Sequence, residues 1–589
     1  MNKYLLETPN YEKSPVIETG SKGVSFRGWK AIGEKLINSL TGLQKERLVI
    51  AVECYHGVLD KEVLPALQEI LPGQYFLTSN YLKTEQEIDE IVYPDVTDDE
   101  VFGFVSRLTI DDFFDAAKVT GTKNEISGTT GISIVYGCGA SLIAEQPDMI
   151  IYIDMARWEI QQRLRGGKVN NIGSSKSGMK ASLQYKRAFY VDWRVCDAVK
   201  KKIMPRADFI LDTHQVELPK MVTGDAFRKA LALAAQQPFR VVPFFDPGVW
   251  GGQWMKEYCD LDRSAVNYAW CFDCVPEENS LLFRFDDIVF ETPAINVVYF
   301  QPRLLLGPVV QARFGDEFPI RFDFLDTMDG GNLSLQVHPT TDYARENFGI
   351  CYTQDESYYL LDAGEDACVY LGLKEDANVD EMFRELETAQ SDGSTFDAEN
   401  YVEKWKAKKH DHVLIPAGTI HCSGKNSMVL EISATPFNFT FKLWDWGRLG
   451  LDGKPRPINI RHGKEVIDRS RTTNNVKTEL INSISIVAEG EGWKEEKTGL
   501  HECEFIESRR HWFTKKVQHS TNGGVQVLNL VEGREAIVES PENAFAPFVV
   551  HYAETFIIPA SVKDYTIRPH GESEGKLCAT IKAFVRTNP

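Results

Sequence analysis

Four polar residues in three short segments have the types and spacing of a metal site. Gln336 and His338 lie two residues apart in the sequence LQVHP, and His421 ends the sequence IPAGTIH. Residues two apart on a strand point to the same face, so Gln336 and His338 can reach one point inside a β-barrel. Glu356 lies between these two segments in the sequence and can add a carboxylate from a strand of its own. Two imidazoles, a carboxylate and an amide oxygen suit a zinc-like divalent ion with one position open for substrate.

The elements that must position these residues belong to the β-rich middle of the chain. Residues from about 45 to 235 alternate apolar runs with amphipathic helices, which is typical of a parallel sheet covered on both faces. After residue 236, short strands separated by Gly, Pro, Asn and Asp turns predict β-barrel or jelly-roll folds. Helices are predicted within this part at 379–389 and 398–408. The length of 589 residues favours several domains, and we place three of them, at 1–235, 236–475 and 476–589.

Composition restricts the partners. The formal charge of -20 argues against nucleic acid or an anionic membrane as a general partner. A phosphorylated metabolite would need a local cluster of cations or a metal to overcome this repulsion. No apolar stretch approaches the roughly 20 residues that cross a bilayer, and the first fifteen residues do not read as a secretory signal. Eleven scattered cysteines read as reduced thiols, so we expect a cytoplasmic protein. The sequence leaves the oligomeric state open, including a homo-oligomer.

From about Phe245 to His462 the chain resembles the class I, metal-dependent mannose-6-phosphate isomerases, which are cupin proteins. The resemblance covers a little over a third of the chain. Its motifs occur in the family's order: Trp250-Gly251-Gly252, LSLQVHP around Gln336 and His338, Glu356 followed by aromatic residues, IPAGTIH ending at His421, VLEI around Glu431, and WDWGR ending at Arg448.

The resemblance implies one divalent metal ion, usually zinc, bound by Gln336, His338, Glu356 and His421. The family interconverts mannose 6-phosphate and fructose 6-phosphate, so we expect an aldose-ketose isomerase that acts on a phosphorylated sugar through an enediol(ate) intermediate. Moving a carbonyl from C1 to C2 requires a base that removes a proton from the carbon next to it. Glu431 is the candidate, because a glutamate in an apolar setting has a raised pKa suited to taking and returning a proton.

Two positions depart from the family's pattern. Its short bacterial members typically carry Lys two residues before the ligand Glu, where this chain has Gln354. They also carry an Arg where this chain has Lys442, and a lysine keeps the charge but lacks the planar fork that binds two oxygens. We therefore predict two groups of site residues besides the metal ligands. They are Glu431, Lys442 and Arg448 for catalysis, and Trp250, Gln354 and Lys374 for substrate binding.

The first domain loosely resembles nucleoside or uridine kinases, because a strand ending near Glu53 leads into a helix. The segment from Glu53 to Lys61 lacks the GxxxxGK[ST] pattern whose backbone wraps phosphates. Gly137-Cys138-Gly139 follows another strand and could approach a ligand closely. We interpret the domain as kinase-like without an intact P-loop, and residues 476–589 as a second, cupin-like β-domain. Two alternatives stay open: a metal-containing cupin that binds sugars or regulates without turnover, and a bifunctional sugar kinase-isomerase.

Overall fold

The computed structural model describes residues 9–175, 178–434, 439–450, 453, 456–499 and 504–587. These residues form a mixed α/β protein with six β-sheets. No helix among the described residues is both long enough and apolar enough to span a membrane.

The described residues of the first part of the chain contain eight strands, and seven of these form one sheet with helices around it. The remaining strand, β1 (Val16–Glu18), belongs to another sheet. The strands are β1 (Val16–Glu18), β2 (Ser25–Arg27), β3 (Arg47–Cys54), β4 (Gln74–Leu77), β5 (Gly131–Gly137), β6 (Met149–Asp154), β7 (Phe209–Asp212) and β8 (Lys220–Thr223). The helices are α1 (Gly28–Thr41), α2 (Asp60–Ile70), α3 (Glu85–Val96), α4 (Ala116–Gly128), α5 (Ala140–Ile143), α6 (Arg157–Arg165), α7 (Ala181–Arg187), α8 (Trp193–Ile203) and α9 (Gly224–Ala234).

The predicted parallel sheet is confirmed. The strand order is β2-β8-β7-β6-β3-β5-β4, and all pairs from β4 to β7 are parallel. Every residue of β6 is buried, as expected of a strand covered by helices on both faces. β1 does not join this sheet. It pairs in parallel with a strand from the middle of the chain, so the first and second parts share a sheet.

The middle part carries the barrel. Its strands are β9 (Phe244–Asp246), β10 (Trp270–Cys274), β11 (Ser280–Phe285), β12 (Ile288–Pro293), β13 (Arg321–Asp326), β14 (Leu335–Val337), β15 (Asp355–Ala363), β16 (Cys368–Leu373), β17 (Val402–Lys406), β18 (His412–Ile415), β19 (His421–Ser423), β20 (Ser427–Ala434) and β21 (Phe441–Trp444). Its helices are α10 (Trp254–Tyr258), α11 (Ile295–Phe300), α12 (Pro302–Leu306), α13 (Pro308–Phe314), α14 (Thr341–Phe348), α15 (Val379–Asp392), α16 (Ile460–Val466) and α17 (Thr473–Asn475).

Two sheets of this part enclose the barrel interior. One has the order β18-β15-β20-β13-β10-β9 and the other the order β17-β16-β19-β14-β21, while β1, β11 and β12 form a small third sheet. Successive strands from β13 to β16 alternate between the two larger sheets. Residues far apart in sequence therefore face one another across the interior.

One of the two helices predicted within this part is confirmed and the other is wrong. α15 covers the first. The second, at 398–408, contains β17, which pairs antiparallel with β16. Along β17, Glu403 and Trp405 are half-buried whereas Lys404 and Lys406 are exposed. Burial that alternates from one residue to the next is the pattern of a strand with one covered face, and it is hard to recognise in a segment this short and charged.

The last part of the chain is a two-sheet β-structure. Its strands are β22 (Ser485–Gly490), β23 (Trp493–Gly499), β24 (Ile506–Phe513), β25 (Val517–Ser520), β26 (Gln526–Glu532), β27 (Glu535–Glu539), β28 (Phe548–His551), β29 (Thr555–Ile558), β30 (Asp564–Pro569) and β31 (Cys578–Val585). The sheets have the orders β22-β23-β24-β31-β26-β29 and β25-β30-β27-β28. The backbones of Phe239 and Ile557 exchange two hydrogen bonds, which ties this part to the start of the barrel. The division into three domains, at 1–235, 236–475 and 476–589, stays a prediction.

Candidate functional site

Three buried side chains meet between the two barrel sheets. Oε1 of Glu356 lies 3.2 Å from Nε2 of His338 and 2.9 Å from Nε2 of His421. β15 brings Glu356 from one sheet and β19 brings His421 from the other, while His338 directly follows β14. The three potential ligand atoms lie within 4.8 Å of one another. These are two imidazoles and the carboxylate of the predicted donor set, whose fourth member is the side-chain amide of Gln336.

Hydrogen bonds select the imidazole tautomers. Nδ1 of His338 donates to the carbonyl oxygen of Phe439 at 2.8 Å, and Nδ1 of His421 donates to that of Thr419 at 2.9 Å. A neutral ring with its proton on Nδ1 presents a lone pair at Nε2. Both Nε2 atoms face the Glu356 carboxylate, and two lone pairs directed at it would be repulsive unless a proton or a metal cation lies between them. Backbone carbonyls commonly orient metal-binding histidines in this way.

Two of the inward atoms make no hydrogen bond. Nε2 of His338 and Oε1 of Glu356 are buried and close, but their geometry is not that of a hydrogen bond. Buried polar atoms rarely lack a partner in folded proteins. Nitrogen and carboxylate donors at this spacing fit a zinc-like divalent ion, so the residues present suit the metal that the sequence predicts.

The two glutamines near the cluster differ in their contacts. The side-chain amide of Gln336 lies 3.3 Å from Nε2 of His421, within reach of the same point. Gln354 donates from Nε2 to Oε2 of Glu356 at 2.9 Å and accepts from the N–H of Phe439 at 2.9 Å. These bonds fix the Glu356 carboxylate and leave its Oε1 facing inward. Gln354 therefore orients a metal-ligand candidate, although we predicted it as a substrate contact.

The buried acids of the barrel interior differ in the direction in which their pKa values are shifted. Burial alone would raise the pKa of Glu356, but His338 and His421 outweigh it and hold that pKa well below its usual range. Burial, followed by the charges of Glu356 and Asp323, raises the pKa of Glu431 well above its usual range. Burial also raises the pKa of Asp323, the cross-strand partner of Glu431, to about 8. Glu431 can therefore hold a proton at neutral pH, as a group that exchanges protons with a substrate must.

A cavity of about 320 Å³ lies beside the cluster. This volume falls at the small end of the range for ligand sites, which suits a small metabolite. The predicted site residues that line it are Trp250, Gln336, Gln354, Glu431 and Lys442.

Arg448 and Lys374 are not among the residues that line this cavity. The Arg448 guanidinium donates to Oδ1 of Asp445 and to the carbonyl oxygen of Asn332, both at 2.6 Å. Lys374 lies just after β16, where its N–H bonds to the carbonyl oxygen of Tyr401. The structure brings Arg448 to the edge of the site through Asp445, and it leaves Lys374 outside.

Cations outnumber anions beside Lys442. Arg448 and Arg456 share the carboxylate of Asp445, at 2.6 and 2.9 Å. Within the described part of the chain, no carboxylate forms an ion pair with Lys442. Burial, with Arg456 and Arg448, lowers the pKa of Lys442 to about 8. Three basic side chains therefore have one acid between them, and an anionic ligand would relieve their mutual repulsion.

Sequence reasoning missed a large share of the cavity wall. The missed residues include Asp246, Glu278, Arg321, Asp323 and Arg456 of the barrel part, and Arg157, Gln161 and Arg165 of the α/β part. The last three lie on α6, which follows the carboxyl end of β6. That edge is where open α/β sheets bind ligands, so a signal existed. Nothing in the spacing indicated that the helix faces a barrel encoded further along the chain.

The segment considered for nucleotide binding uses its own donors internally. The Glu53 carboxylate accepts hydrogen bonds from the N–H groups of Gly139 and Ser141, at 2.6 and 2.8 Å. Gly139 has a positive φ of 82°, a conformation that glycine adopts at little cost. The backbone donors that would bind a phosphate at this turn are thus occupied by a protein carboxylate. The kinase-like interpretation gains no support from this geometry.

Comparisons with known proteins found one matching family model and several similar proteins. Residues 28–236 match a family model described as a domain of unknown function (DUF8485). The mannose-6-phosphate isomerase ManA of Bacillus subtilis (strain 168) is 25% identical over 39% of this chain and 68% of its own length. The putative mannose-6-phosphate isomerase YvyI of the same organism is 23% identical over 56% of this chain and 96% of its own.

A solved structure gives a similar picture. The crystal structure of the mannose 6-phosphate isomerase from Bacillus subtilis covers 59% of this chain and 99% of its own, at 20% identity and a TM-score of 0.46. By sequence, the chain is similar to proteins named mannose-6-phosphate isomerases, at low identity over part of its length. None of these matches supports a kinase-like first domain.

Proposed function

We propose that this protein is a metal-dependent aldose-ketose isomerase of the cupin type that interconverts mannose 6-phosphate and fructose 6-phosphate, or a closely related sugar phosphate. The observation that carries the proposal is the buried cluster of His338, Glu356 and His421 beside a cavity that also presents Glu431 and Lys442. Similarity to proteins named mannose-6-phosphate isomerases supports it. A cytoplasmic location belongs to the same proposal.

Gln336, His338, Glu356 and His421 would hold the metal ion, with zinc the best match to the donors. A divalent cation bound there polarises neighbouring sugar oxygens and favours loss of the proton on the adjacent carbon. The remaining chemistry belongs to side chains of the cavity.

Glu431 is the proposed base. Its carboxylate removes the proton from C2 of the open-chain aldose, which yields an enediol(ate), and the same carboxyl group returns the proton to C1. The hydroxyl proton moves from O2 to O1, so the ketose has the same atoms and charge as the aldose. A carboxyl group whose pKa is raised by burial suits both the uptake and the return of the proton.

The cationic end of the cavity is the proposed phosphate site. Lys442 and Arg456 line the cavity, and Arg456 also donates to Oγ of Ser334 at 3.3 Å. Hydrogen bonds from ionised donors to phosphate oxygens are among the strongest that proteins make. Trp250 adds an apolar wall beside Trp270, with ring centroids 5.9 Å apart. Arg448 acts by holding Asp445, which in turn positions Arg456.

The direct test is an isomerase assay on full-length protein loaded with zinc. We expect interconversion of mannose 6-phosphate and fructose 6-phosphate, followed by a coupled enzyme assay or by NMR. Metal content is measured on the same sample. If a fully loaded sample turns over neither the phosphorylated nor the unphosphorylated sugars, the isomerase proposal fails and a sugar-binding role replaces it.

A further inference from the structure

Helix α6 of the α/β part supplies one wall of the cavity. Arg157, Gln161 and Arg165 are spaced four residues apart, so they lie on one face of the helix. All three line the cavity that Gln336, Glu431 and Lys442 line from the barrel. The cavity is therefore enclosed by two parts of the chain, and the barrel alone would leave one side open.

Polar contacts join this helix to the barrel part. Nε2 of Gln161 donates to Oε2 of Glu278 at 2.7 Å. The Arg165 guanidinium binds both carboxylate oxygens of Asp246, at 3.0 and 2.9 Å. Both acids also line the cavity. A bidentate pair of this kind fixes direction as well as distance, so α6 is held at a defined position over the cavity.

The three residues of α6 differ in what they can offer a ligand. Arg157 is buried, pairs with Asp197 at 2.9 Å and stacks over Trp193, so its charge is used within the α/β part. The Arg165 side chain is 45% exposed, which places it at the mouth. Gln161 is buried in the wall. Its amide and the carboxyl group of Glu278 together provide donors and acceptors at one spot.

We propose that α6 forms the specificity wall of the active site, with Gln161 and Glu278 binding sugar hydroxyl groups and the Arg165–Asp246 pair bordering the entrance. This inference rests on the proposed isomerase function and names how the substrate's carbon chain is recognised. Hydroxyls fit better than phosphate here, because each arginine of α6 already has a carboxylate partner. Lys442, by contrast, has no such partner among the described residues.

The test compares Gln161→Leu with Gln162→Leu in the full-length, zinc-loaded protein. Gln162 is exposed on the same helix, so its variant is a control for the same substitution. We expect Gln161→Leu to raise KM for mannose 6-phosphate about tenfold, which is the cost of one lost hydrogen bond. Its kcat and zinc content should match those of the control, while its melting temperature should be lower, because the buried Glu278 carboxyl group loses its donor.

Deoxy sugars distinguish a hydrogen bond from Gln161 to the substrate from a merely structural role of Gln161. If Gln161 binds a hydroxyl, the KM difference between parent and Gln161→Leu should disappear for either the 3-deoxy or the 4-deoxy analogue of mannose 6-phosphate. An unchanged KM, or the same penalty on every sugar, overturns the specificity wall and leaves the isomerase function intact. An inactive parent protein overturns both.

Arg165→Met covers the case in which Gln161→Leu does not fold. The Arg165 side chain is 45% exposed whereas Asp246 is buried, so this variant should lose some stability and remain folded. We expect a KM for mannose 6-phosphate raised at least threefold, with unchanged zinc content. A KM equal to that of the parent would overturn the proposal.

Discussion

Glu53 and Asp154 of the α/β part and Glu356 of the barrel differ in how completely protein atoms satisfy their carboxylates. In the α/β part, Glu53 accepts two backbone N–H groups. Asp154, at the end of β6, pairs with Lys200 at 2.8 Å and accepts from the amide of Asn296 at 2.8 Å. Protein atoms thus supply hydrogen-bond or ion-pair partners to both carboxylates.

In the barrel, the corresponding groups are left open. Oε1 of Glu356 and Nε2 of His338 make no hydrogen bond, and Lys442 has no carboxylate partner among the described residues. Leaving buried polar groups unsatisfied costs free energy. A carboxylate oxygen and an imidazole nitrogen that are both open and face one point therefore mark the ligand site better than charged residues as such.

The middle part of the chain packs against the α/β sheet. Its carboxyl edge, where ligands usually bind, is covered by the segment that contains β12 and α11. Asn296 reaches Asp154, and the N–H of Glu291 donates to Asp212 at 3.1 Å. What stays accessible from this edge is α6, and α6 faces the barrel cavity.

The largest effect should come from removing the open carboxylate. We expect Glu356→Ala to lose its metal ion and to lower kcat/KM about 10⁴-fold, since metal polarisation supplies several kcal/mol. Metal analysis and the isomerase assay check this. Glu365→Ala, at an exposed glutamate just after β15, should keep both. A Glu356→Ala protein with full metal content would contradict the assignment of the cluster.

Glu431→Gln should separate chemistry from metal binding. The amide keeps the shape of the side chain but cannot take a proton. We expect kcat to fall about 10³-fold, within the range for general acid–base catalysis, with metal content unchanged. Steady-state kinetics and metal analysis on one preparation decide it. Activity within tenfold of the parent would remove Glu431 as the base.

Lys442→Ala should weaken the cationic end of the cavity. We expect the metal to stay bound while kcat/KM for mannose 6-phosphate falls about 10- to 100-fold, as a charge-assisted hydrogen bond is lost. Lys374→Ala is the matched control, because Lys374 does not line the cavity. Equal kinetics for the two variants would take Lys442 off the list of catalytic residues.

The smallest effect on activity should come from Glu53→Gln, although stability should change with pH. Burial raises the pKa of Glu53 from 4.5 to about 7, so the folded protein favours the protonated acid. The stability it contributes is present below pH 4.5 and is lost as the pH rises to about 7. Because Gln cannot ionise, the variant should gain up to about 3 kcal/mol relative to the parent across this window.

Urea unfolding at pH 4.5, 6 and 8 measures that difference. The kcat of Glu53→Gln should equal that of the parent, because the Glu53 carboxylate is completed by protein atoms and lies outside the cavity lining. Glu62→Gln, at an exposed position of α2, provides the control. A difference in stability that does not vary with pH would show that Glu53 is ionised alike in both states.

Much of the fold could be predicted because local patterns repeat. The apolar run of β6 and the helices on either side of it follow from burial on both faces. β17 differs from the predicted helix because a five-residue segment with three charged side chains, Glu403, Lys404 and Lys406, fits a helix surface as well as a strand edge. Arg448 and Lys374 were chosen for their charge, and charge alone does not place a long side chain.

The sequence by itself determined the candidate metal donors. The spacing of Gln336 and His338 forces them to one face of a strand, and the motifs around Glu356 and His421 fit the same site. Tertiary structure alone decided that Gln354 holds Glu356, that Asp445 is shared between two arginines, and that α6 closes the cavity. These contacts join residues up to 117 positions apart, as for Gln161 and Glu278. They depend on how whole elements pack, which no local period encodes.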